Sequence, residues 1–245
     1  MIVVLRLSTC SIVQHLDNAR RFGRLLWSQS MRSELKSRAL ALALLFLPGA
    51  AVAQMLRNSS VADGSATLKL TPRQPEGPYY PTRKLSDRDN DLTRVGNGDV
   101  AQGQILRLSG RLVDERNAPI PSARIEIWQT DHRGIYMHPN DSGTADRDRD
   151  FQSYGEATTD EAGRFEFRTI LPGVYGSRPR HLHVKIVPQQ GSGLTTQLYF
   201  KDDPRLSSDG IVRRLGADIE ALLLDPIRRT PDELHAQTTF VLRRG

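Results

Sequence analysis

The feature that most constrains this chain is a series of short alternating segments, each closed by turn residues, in its second half. Ile105–Val113, Ala123–Trp128, Arg164–Arg168, His181–Val187, Gln197–Phe200 and Thr238–Leu242 read as strands. DERNAPIP (114–121), DEAG (160–163), LPGVYG (171–176) and PQQGSG (188–193) supply the turns between them. A period of two places every second side chain on one strand face, and several short strands at this spacing pack as two sheets. The expected fold is all-β: an antiparallel β-sandwich, immunoglobulin- or transthyretin-like, with long loops. One short C-terminal helix is predicted over Ala217–Leu224, after Gly216 and before Asp225-Pro226. His138–Ser153, containing DSGTADRDRD, reads as a solvated loop.

Charge separates the domain from what precedes it. The chain carries +6, from 34 Lys and Arg against 28 Asp and Glu. Residues 1–53 hold seven basic and two acidic residues, so 54–245 carry 27 against 26 and are nearly neutral. A nucleic-acid partner is therefore not expected, because such binders concentrate positive charge on the folded domain. From Met31, MRSELKSR, ALALALLFLPGA and AVA before Gln54 form a basic region, an apolar run and a small-residue cleavage pattern. This is the pattern of a secretory signal, with cleavage expected after Ala53 and a mis-assigned start the expected reading of residues 1–30. The expected organisation is a presequence over 1–53, a flexible leader over 54–75 and a sandwich domain over 76–245. The expected destination is export, periplasmic or secreted, with no membrane anchor after processing. The single cysteine, Cys10, lies in the presequence, so the domain has no disulfide, thiol nucleophile or thiolate ligand.

The chemistry-bearing residues gather around RPRHLHVKI (178–186). In a strand, His181 and His183 project to one face while Leu182, Val184 and Ile186 pack to the other. Two imidazoles so placed can share a metal, but the same pattern also describes the wet face of an amphipathic strand. Of six tyrosines, Tyr175 lies six residues before His181, and Tyr136 follows the EIWQTD strand (126–131) in GIYMHPND (134–141). A set of two imidazoles and two phenolates would favour a hard trivalent ion such as Fe(III) over Zn(II) or Cu(I).

TPRQPEGPYYP (71–81), IEIWQTD (125–131) followed by GIYMH, PGVYGSRPRHLHVKI (172–186) and TTQLYF (195–200) resemble, in order, the motifs of the intradiol ring-cleavage dioxygenases. The resemblance covers about residues 70–200. It implies a non-haem Fe(III) with Tyr136 and His181 equatorial and Tyr175 and His183 axial. It also implies that Tyr175 accepts a substrate proton, that Arg178 stabilises charge on the ring, and that Gln197 lies beside the substrate. The implied substrates are a catecholic ring and O2, and the product a cis,cis-muconate-type diacid. Tyr79, Tyr80 and Tyr199 either line the pocket or pack. Only Gly176 to Arg180 separate the second tyrosine from the first histidine, a shorter segment than in protocatechuate-specific relatives, and no N-terminal helical dimerisation domain is expected. Neither protocatechuate nor catechol is singled out, and a homo- or hetero-oligomer remains open. Two other readings fit the same residues: a non-catalytic extracytoplasmic sandwich that binds ligands, and another HxH metalloenzyme using Asp131, Asp141 or Asp160.

Overall fold

A computed structural model describes residues 67–243. The expected signal, its cleavage site and most of the leader lie outside the described residues. Nine strands form: β1 (Ile105–Asp114), β2 (Arg124–Trp128), β3 (Tyr154–Thr158), β4 (Arg164–Ile170), β5 (His181–Val187), β6 (Leu194–Phe200), β7 (Leu223–Leu224), β8 (Ile227–Thr230) and β9 (Glu233–Leu242). They make a four-stranded sheet in the order β4-β1-β9-β8 and a five-stranded sheet in the order β3-β2-β5-β6-β7. One apolar core joins the sheets. Leu106, Leu108, Phe167 and Phe240 come from the first, and Ile125, Ile127, Leu182, Val184 and Leu198 from the second; all nine are fully buried.

The sandwich is not purely antiparallel, as the alternation had suggested. β9 runs parallel to β1 along ten residue pairs, from Ile105↔Glu233 to Asp114↔Leu242, and β7 runs parallel to β6. Side-chain alternation encodes which face is buried and carries no information about strand direction, so both sheets are mixed. The helix expected over Ala217–Leu224 is also displaced. Residues Gly216–Leu222 form a 3-10 turn, Leu223 and Leu224 pair with Tyr199 and Phe200, and the α-helical turn, α1, is Gly210–Arg213. The leader ends earlier than its composition suggested. Backbone N–H groups of Leu68, Thr71 and Gln74 donate to the carbonyls of Glu115, Val241 and Thr195 at 2.7, 3.0 and 2.9 Å. Nor is 138–153 solvated throughout: His138, Asp141, Asp148, Phe151, Gln152 and Ser153 are buried.

Two loops carry Tyr136 and Tyr175, one after β2 (residues 129–138) and one before β5 (171–180). They lie back to back through two glycines. A Cβ on Gly134 would sit 2.1 Å from the Val174 carbonyl oxygen, and one on Gly173 would sit 2.1 Å from the Gly134 nitrogen. Gly134 also has φ +91°, a region that side-chain-bearing residues rarely adopt. Gly173 N–H donates to the Asp131 carbonyl at 2.8 Å, and Thr130 Oγ1 donates to the Gly173 carbonyl at 3.0 Å. Gly134→Ala is predicted to destabilise the protein by roughly 2–4 kcal/mol, because strain and overpacking coincide there. Urea unfolding measures this, and a loss below about 0.5 kcal/mol, the range of an ordinary surface change, would contradict it.

Candidate functional site

Strand β5 is central in its sheet, and its first six residues are buried or nearly so on both faces. Leu182, Val184 and Ile186 face the core. His181 and His183 take the opposite face, yet are only 4% and 3% exposed. Cross-strand register then fixes their neighbours. Trp128 on β2 and Gln197 on β6 both stand opposite His183, and Tyr199 stands opposite His181. Directly opposed residues on antiparallel strands share a face, so Trp128, His183 and Gln197 form one row across the sheet. The Trp128 indole stacks on His183 at 4.8 Å between centroids and 9° between planes.

The two loops bring tyrosines over this row. Tyr136, 2% exposed, lies with its hydroxyl 3.1 Å from Nε2 of His181 and 3.1 Å from Nε2 of His183. Its backbone is held by Asp141, whose Oδ2 accepts from Tyr136 N–H at 2.9 Å. Asp131 Oδ1 accepts from Arg133 and Ile135 N–H, and Oδ2 from Asp148 N–H. Tyr175 meets the Tyr136 ring edge-on at 5.4 Å, and its hydroxyl makes a short hydrogen bond with that of Tyr79. That bond, followed by burial, pushes Tyr79 up to about 12, and either hydroxyl of the pair is able to donate. Tyr79 arrives on the segment that follows the leader and stacks on Tyr136 at 4.6 Å. Close behind it, Gly77 brings backbone against His183: a Cβ there would sit 3.3 Å from the imidazole Cε1.

Arg178 reaches the same region. Its Nε donates to Asp209 Oδ2 at 2.7 Å and its Nη1 to Gln197 Oε1 at 3.2 Å, while Gln197 Nε2 donates to the Pro75 carbonyl at 2.8 Å. Asp209 also caps α1, accepting from the N–H groups of Ile211 and Val212 at 2.9 Å. All six residues singled out in the sequence, Tyr136, Tyr175, Arg178, His181, His183 and Gln197, thus meet in one region. Sequence reasoning missed Asp209, Trp128 and the contact of Tyr79 with Tyr175. Trp128 could have been found by aligning β2 with β5, since both strands were recognised; Asp209, 31 residues from Arg178, left no local signal.

Protonation can be followed atom by atom. His181 Nδ1 is 2.7 Å from the Pro179 carbonyl, which can only accept, so Nδ1 carries the proton and Nε2 presents a bare lone pair. Burial, then the Arg178 charge, pulls His181 down to about 4. Burial, then the charges of His181 and Arg178, holds His183 well below its usual range. Burial keeps Tyr136 protonated in the absence of a cation, raising it well above its ordinary value against the opposing pull of Arg178. One phenol proton therefore faces two Nε2 atoms. If His183 instead donates from Nε2, its buried Nδ1 is left as a lone pair with no partner among the described residues. Two imidazole nitrogens and a phenol oxygen converging on one buried point are a donor set for a cation, which would replace the phenol proton. No group of three or more His, Cys, Asp or Glu suited to a metal occurs among the described residues, so such a site must recruit tyrosine oxygen. Asp131, Asp141 and Asp160 are occupied by backbone N–H groups of their own loops. They offer no support to a hydrolase built on HxH.

The lowered imidazoles set the pH response of the metal-free protein. At His181 the unfolded chain binds more protons than the folded one between about pH 6.5 and pH 4, so its stabilisation is complete above 6.5 and is lost as pH falls through that window, and His183 acts in the same direction. His181 alone accounts for a fall of roughly 2 kcal/mol between pH 7 and pH 5. Urea melts of metal-free protein at the two pH values check this, and unchanged stability would contradict it.

Comparison with known proteins agrees with this geometry. The Dioxygenase family model (Dioxygenase_C) matches residues 75–241. The chain is 36% identical over 154 residues to the protocatechuate 3,4-dioxygenase beta chain of Burkholderia cepacia, covering 59% of this chain and 65% of that one. It is 29% identical over 181 residues to a catechol 1,2-dioxygenase of Acinetobacter baylyi, covering 66% and 55%. The matches thus span between about half and two thirds of these relatives. Among solved structures, the dioxygenase domain of a dioxygenase carbohydrate-binding fusion from Streptomyces sp. SirexAA-E matches with TM-score 0.58 and 30% identity, over 72% of this chain and all of that domain. With its family match, its two mixed sheets and the gathered tyrosines and histidines, the chain belongs to the intradiol ring-cleavage dioxygenase family.

Proposed function

We propose that the protein is a non-haem Fe(III) intradiol dioxygenase that cleaves a catecholic ring between its two hydroxylated carbons, giving a cis,cis-muconate-type diacid. One observation carries this reading: Tyr136 Oη lies 3.1 Å from the Nε2 atoms of both His181 and His183 at a buried point. Tyr136, Tyr175, His181 and His183 would hold the iron. When bound, ferric iron supplies charge neutralisation for a catechol dianion and the electronic coupling that lets the ring react with O2.

The chain's own residues do the rest. The Pro179 carbonyl fixes the His181 tautomer and ring orientation, a support that metal-bound imidazoles usually need. Trp128 covers one face of His183, and Gly77 lies against its Cε1 edge, so water is kept from that ring. Tyr175 is less buried than Tyr136 and is held by the Tyr79 hydroxyl, which offers its oxygen a hydrogen bond when it accepts a substrate proton. Arg178 is locked by Asp209 and Gln197 before any ligand arrives. A guanidinium fixed in a partly buried pocket stabilises charge developing on the ring without having to reorganise. Gln197, tied to Arg178 and to Pro75, would border the substrate. We further propose that the protein acts after export, on the strength of the signal-like pattern that ends at Ala53.

Protein loaded with ferric iron is predicted to be red-brown from tyrosinate-to-iron charge transfer, with Tyr136→Phe and Tyr175→Phe each altering the visible band. Its oxygen uptake with catechols should be matched by diacid formation; colourless protein that fills with zinc and consumes no oxygen would refute the assignment. Asp209→Asn is predicted to lower kcat/KM roughly 10- to 100-fold while the iron colour persists, because Arg178 loses its anchor and the ligands do not. Steady-state rates and a visible spectrum on one preparation test this, and an unchanged kcat/KM would contradict it.

A further inference from the structure

His181 and His183 face the same buried point, but they are held there differently. His181 is fixed by a hydrogen bond from Nδ1 to the Pro179 carbonyl at 2.7 Å. His183 has no such bond: its Nδ1 is buried and has no hydrogen-bond partner among the described residues. Metal-bound imidazoles usually owe their orientation to a bond of that kind. Rotation about Cβ–Cγ of a histidine is soft, with broad minima, so an imidazole without one needs another constraint.

Trp128 supplies it. Strand β2 places Trp128 directly opposite His183, and the two rings lie within 9° of parallel at 4.8 Å between centroids. Turning His183 about Cβ–Cγ would drive one edge of the imidazole into the indole. It would also swing the Nε2 lone pair off Tyr136 Oη, which lies 3.1 Å from that nitrogen. The indole is itself held by packing, because its Nε1 is also buried without a partner among the described residues. Tyr80 meets it edge-on at 5.1 Å. The Tyr80 hydroxyl donates to Glu126 Oε2 at 2.7 Å, and the Lys185 ammonium lies 4.3 Å over the Tyr80 ring. Glu126 is buried, and its Oε1 accepts from Arg124 Nε at 3.0 Å. Glu126 and Lys185 stand opposite each other in the row next to Trp128 and His183. A charged row thus pins Tyr80, Tyr80 backs the indole, and the indole leaves the imidazole one plane.

We propose that Trp128 is a positioning residue for the metal site: its flat face, in place of a hydrogen bond, sets the plane of His183 and with it the direction of the Nε2 lone pair. This role rests on the ring-cleavage reading and deepens it by naming what holds the ligand that lacks a hydrogen-bonded support.

Trp128→Phe and Trp128→Met test it. Both lose the indole and leave space in the core, but only phenylalanine keeps a flat face, whereas methionine fills space flexibly. Ferric affinity of the folded proteins is measured by competition with citrate. It should fall about 10- to 100-fold in Trp128→Met, the usual cost of losing an outer support, and less than about 3-fold in Trp128→Phe. The visible charge-transfer band should shift in Trp128→Met and return in Trp128→Phe. A residue that only fills the core would lower the urea stability of both variants and leave the ferric affinity of each folded protein unchanged, and that result would overturn the proposal. Should Trp128→Met not fold, Tyr80→Met removes the ring behind the indole from a half-buried position outside both sheets. Weaker ferric binding there supports the role, and unchanged binding overturns it. If the unmodified protein takes up no ferric ion, the ring-cleavage reading fails. Crystals of the metal-free variant then decide the role of Trp128: His183 tilted away from Tyr136 Oη supports it, and an unmoved imidazole overturns it.

Discussion

The site depends on one strand being buried on both faces. β5 must satisfy the apolar core through Leu182, Val184 and Ile186, and the opposite period-two set falls on His181 and His183. An imidazole on a wet face would titrate near its usual value and point into water. Under tyrosines and beside an indole, both are held neutral and their Nε2 atoms converge on one phenol oxygen. Burial thus does two things at once: it disfavours protonation of the nitrogens and raises the cost of leaving them without a partner. A bound cation resolves both.

The same strand transmits the fold to the chemistry. Register across β2, β5 and β6 sets Trp128 and Gln197 on either side of His183. Back-to-back glycines keep the Tyr136 and Tyr175 loops too close for any other pair of residues. Carboxylates that might have been catalytic are used instead to pin backbone: Asp131 and Asp141 hold the Tyr136 loop, and Asp209 joins Arg178 to the start of α1. The polypeptide before Tyr79 is part of this arrangement as well, since its backbone bonds to both sheets before it delivers the tyrosine.

Much of this was legible in the residues, and the rest was not for identifiable reasons. The β5 boundaries and the HxH face follow from alternation alone, and the motif order carries the family. Strand β3 escaped because Gly155 interrupts its pattern, where Leu92 and the Asp89 carbonyl approach too closely for a side chain. β8 escaped because all four of its residues are exposed and show no period. The parallel pairing of β9 with β1 joins segments more than a hundred residues apart, and no local pattern encodes it. Residues 217–224 have helical composition, but Leu223 and Leu224 gain more by pairing with β6 in the core. Asp209 looks like an ordinary surface charge until its bond to Arg178 is seen.

The central claim is that Tyr136, Tyr175, His181 and His183 share a ferric ion. The most direct measurement is an anomalous difference map from crystals of the iron-loaded protein, recorded on both sides of the iron absorption edge. The account predicts one strong peak among Tyr136 Oη and the Nε2 atoms of His181 and His183. Iron bound elsewhere, or a peak that persists undiminished in His183→Ala, would contradict it.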